Sequence, residues 1–313
     1  MSRTSKLLMA ALVIAANIGG AASIGAALSQ RPRRPIRRRQ PQSVSVTLPR
    51  PVSFREVRGR GLLVSTWVNG VGPFNFAVDT GAGAAIISPR VAGAAGVSIS
   101  TAPGPSIAGL SGAMVAAHDG VVRDIAIGDP QNYLPAKRDV IVSSGLPPDL
   151  DGLLDPNDAF GFFGYVIDIP ARELSAFDPR EEPVTLQREP ADGAVVQWLQ
   201  QASSHRPFVR LDTGEQVLID TGSSLGFAVH DAYARDSRVR ASAVYDVGGS
   251  VATRRGAPRT VSIGSLVLRN VPTDVISGAP AETPALLGLN ALRPFRMRFD
   301  PLHRLIEIAP AER

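Results

Sequence analysis

Short apolar runs, each closed by a glycine-bearing turn, fill most of the chain. The stretch LLVSTWVNGVGPFNFAVDTGAGAAIIS, from Leu62 to Ser88, reads as two strands around a turn at Asn69-Gly70-Val71-Gly72, then small residues, then a third apolar run. The stretch RPFVRLDTGEQVLIDTGSSLGFAV, from Arg206 to Val229, repeats that order around a turn at Asp212–Glu215. The likeness continues downstream: 106–129 parallels 244–268, 139–155 parallels 274–290, and 163–179 parallels 295–310. Two halves, 51–180 and 205–310, therefore carry the same elements in the same order, with a mixed polar connector at 181–204. Short alternating runs with frequent turn signals predict an all-β fold built as two similar barrel-like lobes, with a cleft between them.

The tripeptide Asp-Thr-Gly occurs at Asp79, Asp212 and Asp220. The repeat sorts the copies. Asp79 and Asp220 fall at matching places after apolar strands. Asp212 falls on the hairpin turn eight residues before Asp220, where Asp and Gly are ordinary turn residues. Two carboxyls about 3 Å apart cannot both ionise, so such a pair holds one proton and titrates as a unit. Its charged member can take a proton from water while its protonated member donates to a carbonyl. Gly81 and Gly222 let two such turns approach closely, and Ala82, Gly83, Ser223 and Ser224 keep their surroundings small.

These motifs, Val78–Ala82 and Ile219–Ser223, together with Leu286-Leu287-Gly288 and the tail LNALRPFRMRFD, resemble the aspartic proteases of the pepsin and retropepsin-like group. The resemblance runs over about 51–310. It implies Asp79 and Asp220 as the catalytic pair, with Thr80, Gly81, Thr221, Gly222 and Ser223 supporting it. It implies IAGLSGAM (107–114) as a flap, with Gly109, Leu110 and Gly112 meeting a peptide or protein substrate. With both aspartates in one chain, it implies a monomeric, bacterial, two-lobed endopeptidase without cofactor or metal. Three departures stand out: Asp155 occupies the place of a glycine in Gly152-Leu153-Leu154-Asp155, the flap lacks a tyrosine, and disulfides are absent. Asp155 leaves open a second reading, a protease-like domain that binds peptides without cutting them. A third reading takes Gly222-Ser223-Ser224-Leu225-Gly226 as a serine-hydrolase elbow around Ser224, with His230, His303 and Asp300 as candidate partners. The segment after Gly226 is short for the helix that an elbow requires.

Composition narrows these readings. A net charge of +5 suggests nucleic acid, but eight basic residues and no acid lie in 1–40, and the remainder holds 25 basic against 28 acidic residues. The excess is a tail, so nucleic-acid binding is not expected. With no cysteine, a thiol nucleophile and a Cys-ligated metal are excluded. His118, His205, His230 and His303 are scattered without ligand spacing, and the acidic run Asp149, Asp151, Asp155, Asp158 reads as a solvated loop. VQWLQQA (196–202) reads as a buried anchor for the connector. Arg3 and Lys6 precede an apolar run, Leu7–Leu28, so 1–28 is expected to be a signal peptide or an N-terminal membrane anchor through 7–28. Residues 29–50, rich in Arg and Pro, read as a disordered spacer. The expected location is exported, periplasmic or secreted, or held at the inner membrane.

Overall fold

In the first half, Gly61–Val68 and Val71–Val78 pair antiparallel around Asn69 and Gly70, whose φ angles of 53° and 81° are the left-handed values that Asn and Gly tolerate best. Val71–Val78 then pairs in parallel with Gly152–Leu154, which is antiparallel to Ile86–Ile87. Ile86–Ile87 is parallel to Asp139–Ser143, and that strand is antiparallel to Met114–Val121.

The second half repeats this order and these senses. Ser204–Arg210 is antiparallel to Gln216–Asp220, which is parallel to Ala285–Gly288. Phe227–His230 runs antiparallel to Ala285–Gly288 and parallel to Thr273–Ser277, which is antiparallel to Gly249–Arg255. The protein is all-β, with ten-stranded, eight-stranded, six-stranded and two-stranded sheets among the described residues. Its helices there are short, Pro89–Ala94, Pro156–Ala159 and Leu289–Leu292. The computed structural model describes residues 47–102, 104–135, 139–201, 204–230, 241–277 and 283–311. The expectations for 1–28, and for all but the last four residues of 29–50, lie outside the described residues.

The six-stranded sheet draws on both halves. Its order is Val52–Ser53, Glu173–Phe177, Gly164–Asp168, Phe295–Asp300, Leu305–Pro310, Ala194–Gln197. At its centre Tyr165 stacks on Phe299, with ring centroids 4.6 Å apart, and Trp198 meets Phe299 edge-on at 6.1 Å. The connector contributes strands of its own. Ala194–Gln197 pairs with Leu305–Pro310, and Leu199–Gln201 pairs with Ser204–Arg210. Trp198 is buried and donates its indole N–H to the Arg206 carbonyl at 3.0 Å, so it does anchor the connector.

Strand alternation decides what faces the core. Phe76 and Val78, and in the other half Val217 and Ile219, join one continuous cluster with Ile87, Leu154, Leu287 and Phe299. Ala77 and Leu218 point the other way, each into a smaller apolar cluster whose buried members come from its own half and against which a hairpin residue of the other half packs, Val247 and Leu110 respectively. Truncating a fully buried side chain such as Phe76 to alanine costs about 3–5 kcal/mol, so this packing holds the turns that follow it in place.

The acidic run 149–158 is not the solvated loop that its composition suggests. Asp149 is exposed and pairs with Arg60 at 2.6 Å. Asp151 is buried, accepts the Asn75 N–H at 2.9 Å and pairs with Arg90. Asp155 is buried as well. The strand Gly152–Leu154 runs between two others, and its neighbours in sequence are carried inside with it.

Candidate active site

Both turns end a strand that is wedged between two others, so their direction is fixed by the sheet. Asp79 follows Val71–Val78 and its N–H donates to the Leu154 carbonyl at 2.9 Å; Asp220 is the last residue of Gln216–Asp220. In each turn the glycine N–H donates to the aspartate of its own motif: Gly81 to Asp79 at 2.8 Å, and Gly222 to Asp220 at 2.9 Å. Ser223 adds a second N–H to Asp220 at 3.1 Å. The two carboxyls are close enough that each shifts the protonation of the other.

The glycines serve the opposite aspartates. A β-carbon on Gly81 would fall 2.8 Å from the Asp220 carboxyl carbon, and one on Gly222 would fall 2.3 Å from that of Asp79. No other residue fits either place without displacing a carboxylate. Behind them the threonines interlock. The Thr80 hydroxyl donates to the Ile219 carbonyl at 2.6 Å and accepts the Thr221 N–H at 3.1 Å. The Thr221 hydroxyl donates to the Val78 carbonyl at 2.9 Å and accepts the Thr80 N–H at 3.2 Å. Both threonines are fully buried, and these four bonds tie the two halves together directly beneath the carboxyls.

The two carboxyls are not equivalent. Burial pushes Asp79 well above the usual carboxylate range and the neighbouring Asp220 pushes it further, against one opposing N–H from Gly81. Burial also raises Asp220, but the N–H groups of Gly222 and Ser223, the neighbouring Asp79 carboxyl and the Arg206 charge all favour its ionised form. With one N–H on Asp79 and two on Asp220, the hydrogen bonds favour the charge on Asp220 over Asp79.

A third carboxyl lies behind Asp79. The pairing of Asp220 with Gly288 has its first-half counterpart one step beyond Val78 with Leu154, and that position is Asp155. Gly288 is forced, because a β-carbon there would fall 2.6 Å from the Leu225 carbonyl oxygen. Asp155 instead caps Pro156–Ala159, its Oδ1 accepting the Asn157 backbone N–H at 2.9 Å and the Asn157 side-chain amide at 2.7 Å. Its Oδ2 is buried without a partner among the described residues. Burial raises Asp155 to about 7. Asn157 also reaches the Thr80 carbonyl at 3.3 Å and accepts from the Tyr165 hydroxyl at 2.5 Å.

The carboxyls open onto a cleft of about 620 Å³, lined from both halves. The expected flap is a hairpin, Ser106–Ala108 against Met114–Val121, and its Gly109 and Leu110 line the cleft. Gly112 forms its turn, with φ 69° and its N–H on the Gly109 carbonyl at 3.1 Å. A second hairpin, Ala241–Asp246 against Gly249–Arg255, faces it from the other half. The tips touch: Gly109 N–H donates to the Val247 carbonyl at 3.1 Å, and Ser111 N–H to Asp246 Oδ2 at 2.9 Å. The second hairpin is not part of the flap expected from the sequence, although the parallel between 106–129 and 244–268 marks it through Gly248 and Gly249. Arg206 and Asp246, also on the cleft, carry no such mark.

The remaining sequence candidates separate. Asp212 lies on an exposed turn, whose Gly214 has φ 86° and donates to the Leu211 carbonyl at 2.8 Å. Ser224 lines the cleft, but Gly226 leads into the strand Phe227–His230 and not into a helix. His303 and Asp300 pair with each other at 2.8 Å, and neither lines the cleft.

Residues 64–153 match the model of a family described as aspartyl protease. No curated protein matches the chain. The matched segment spans Asp79 and the flap hairpin, ends within the strand Gly152–Leu154, and stops before the second half. It supports an aspartyl protease family and an aspartic-type peptidase activity in general.

Proposed function

We propose that the chain is an aspartic-type endopeptidase of the two-lobed, single-chain pepsin and retropepsin-like form, active as a monomer. The observation that carries this reading is the pair of neighbouring carboxyls, Asp220 buried and Asp79 half-buried, one from each half, on Asp-Thr-Gly turns facing one cleft. An extended peptide lies under the two hairpins. Asp220, ionised, takes a proton from a water held between the carboxyls as the water oxygen bonds to the scissile carbonyl carbon. Asp79 gives its proton to the carbonyl oxygen, forming a tetrahedral diol. The C–N bond then breaks as Asp220 passes its proton to the leaving nitrogen, and a diol proton returns to Asp79. This is the general mechanism of aspartic proteases, and the asymmetry of hydrogen bonds supports these roles for the two residues.

Export is part of the reading, with 1–28 as the leader or anchor and 29–50 as the spacer. The test is incubation of the purified protein with a mixed peptide library across pH, with and without a statine-type inhibitor. Inhibitor-sensitive cleavage is expected. Cleavage that ignores the inhibitor would favour Ser224, and binding without cleavage would favour the non-cutting reading that Asp155 keeps open.

A further inference from the structure

Two cationic side chains line the cleft, and they differ in how their charge is met. Arg60 is neutralised: its guanidinium pairs with Asp149 at 2.6 Å and lies 5.9 Å from the Tyr245 ring centroid. Arg206 has no carboxylate within ion-pair distance among the described residues. Its Nε donates to the Ser204 hydroxyl at 3.0 Å, and its guanidinium carbon lies 5.6 Å from the Phe208 ring centroid. Its stem passes the Asp79 turn, where a β-carbon on Gly83 would fall 3.7 Å from Arg206 Cδ. The side chain is thus braced by a hydroxyl, a ring and a backbone, and its two terminal nitrogens are left for something else.

Much of the wall of the cleft it borders is apolar. Ile107, Leu110, Leu150, Leu153 and Leu286 line the same cleft. A half-buried guanidinium in such surroundings has lost part of its hydration and gains most from a planar, bidentate anion. It lies against Gly83 of the Asp79 turn, and its charge acts on Asp220 and Asp155, so whatever it binds lies within a few residues of the scissile bond.

We propose that Arg206 forms a carboxylate-accepting subsite, so that the preferred substrates carry a carboxylate near the cleaved bond. An Asp or Glu side chain and a free C-terminal carboxylate share this chemistry. The proposal rests on the peptidase reading and deepens it.

The test uses paired peptides that differ only in charge: Glu against Gln at each position around the cleaved bond, and a free against an amidated C-terminus. The wild-type protein is expected to favour one acidic member by about tenfold or more in kcat/KM. A preference at an internal position identifies a side-chain subsite, and one confined to the free terminus identifies an exopeptidase-like end. Arg206→Gln should bring that ratio to about one, whatever it does to the rate on both peptides, and Arg206→Lys should keep part of it. Equal cleavage of the pair by the wild type, or a preference that survives Arg206→Gln, would overturn the subsite. If Arg206→Gln does not fold, the wild-type ratio should fall toward one as salt rises from about 0.05 to about 0.5 M, and a salt-independent ratio overturns the proposal. Failure to cleave any peptide would sink the peptidase reading instead. The subsite is then judged by fluorescence anisotropy on the same pairs, where equal binding of the acidic and amide peptides overturns it.

Discussion

Gly222 and the Asp79 carboxyl are in such close contact that a β-carbon on Gly222 would sit 2.3 Å from the Asp79 carboxyl carbon. The glycine of one motif is therefore a requirement of the other motif's aspartate. Gly222→Ala should abolish measurable cleavage and destabilise the fold by about 1–3 kcal/mol, the usual cost of overpacking. Peptide hydrolysis and urea unfolding of the variant measure the two effects separately.

Asp79→Asn and Asp220→Asn should each lower kcat by at least about 10²–10⁴, since each removes one partner of the proton exchange while keeping its shape. Asp212→Asn should leave both activity and stability within about 0.5 kcal/mol of wild type, because Asn serves a turn as well as Asp does. Loss of activity in Asp212→Asn with activity retained in Asp220→Asn would reverse the assignment of the second half.

The separation of these aspartates was legible because the repeat fixes phase. Asp79 and Asp220 each follow an apolar strand and precede small residues, while Asp212 aligns with Asn69 and Gly70 on a hairpin turn. The fates of Asp151 and Asp155 were not legible from local composition, which sees four acids in ten residues and predicts solvent. Their burial depends on Gly152–Leu154 lying between two strands distant in sequence, a non-local pairing. Arg206 was missed for a similar reason: its place beside the Asp79 turn is a contact between halves, and no motif marks it.

Asp155 gives a pH signature. Its value in the folded protein, about 7, lies above the ordinary 3.8, so the fold prefers the protonated form. The stability linked to it is fully present below about pH 4 and is lost as pH rises to about 7. Asp155→Asn carries no such titration, so its unfolding free energy should fall less steeply than that of the wild type between pH 4 and 7. Urea titrations of both proteins at several pH values measure the slopes; identical slopes would show that Asp155 is not buried as a carboxylic acid.

Thr80 and Thr221 hold the turns from beneath. Thr80→Val keeps the size but removes the hydroxyl, leaving the Ile219 carbonyl and the Thr221 N–H without it. A stability loss of about 1–3 kcal/mol per buried polar group left unpaired is expected, with lower kcat and Thr80→Ser recovering most of both. Thermal unfolding with kinetics on the three proteins decides.

The hairpin tips supply a readout that does not need turnover. Asp246→Ala removes the acceptor of the Ser111 N–H and should speed hydrogen exchange at that amide by tenfold or more, from a bond to a charged group worth about 1.5–3 kcal/mol. Exchange at Thr221, in the interlocked turns, should not change.

The six-stranded sheet has a consequence in time. Its strands Val52–Ser53, Gly164–Asp168 and Glu173–Phe177 are synthesised well before Phe295–Asp300 and Leu305–Pro310, which complete it. Until those late strands arrive, Gly164–Asp168 has an open edge. Until the second half arrives, Thr80 has no Ile219 carbonyl to hold and Asp79 has no partner to share its proton. A nascent first half accordingly lacks both the second carboxyl and the carbonyl that holds its own turn. The paired turns can form only when the later strands have been made.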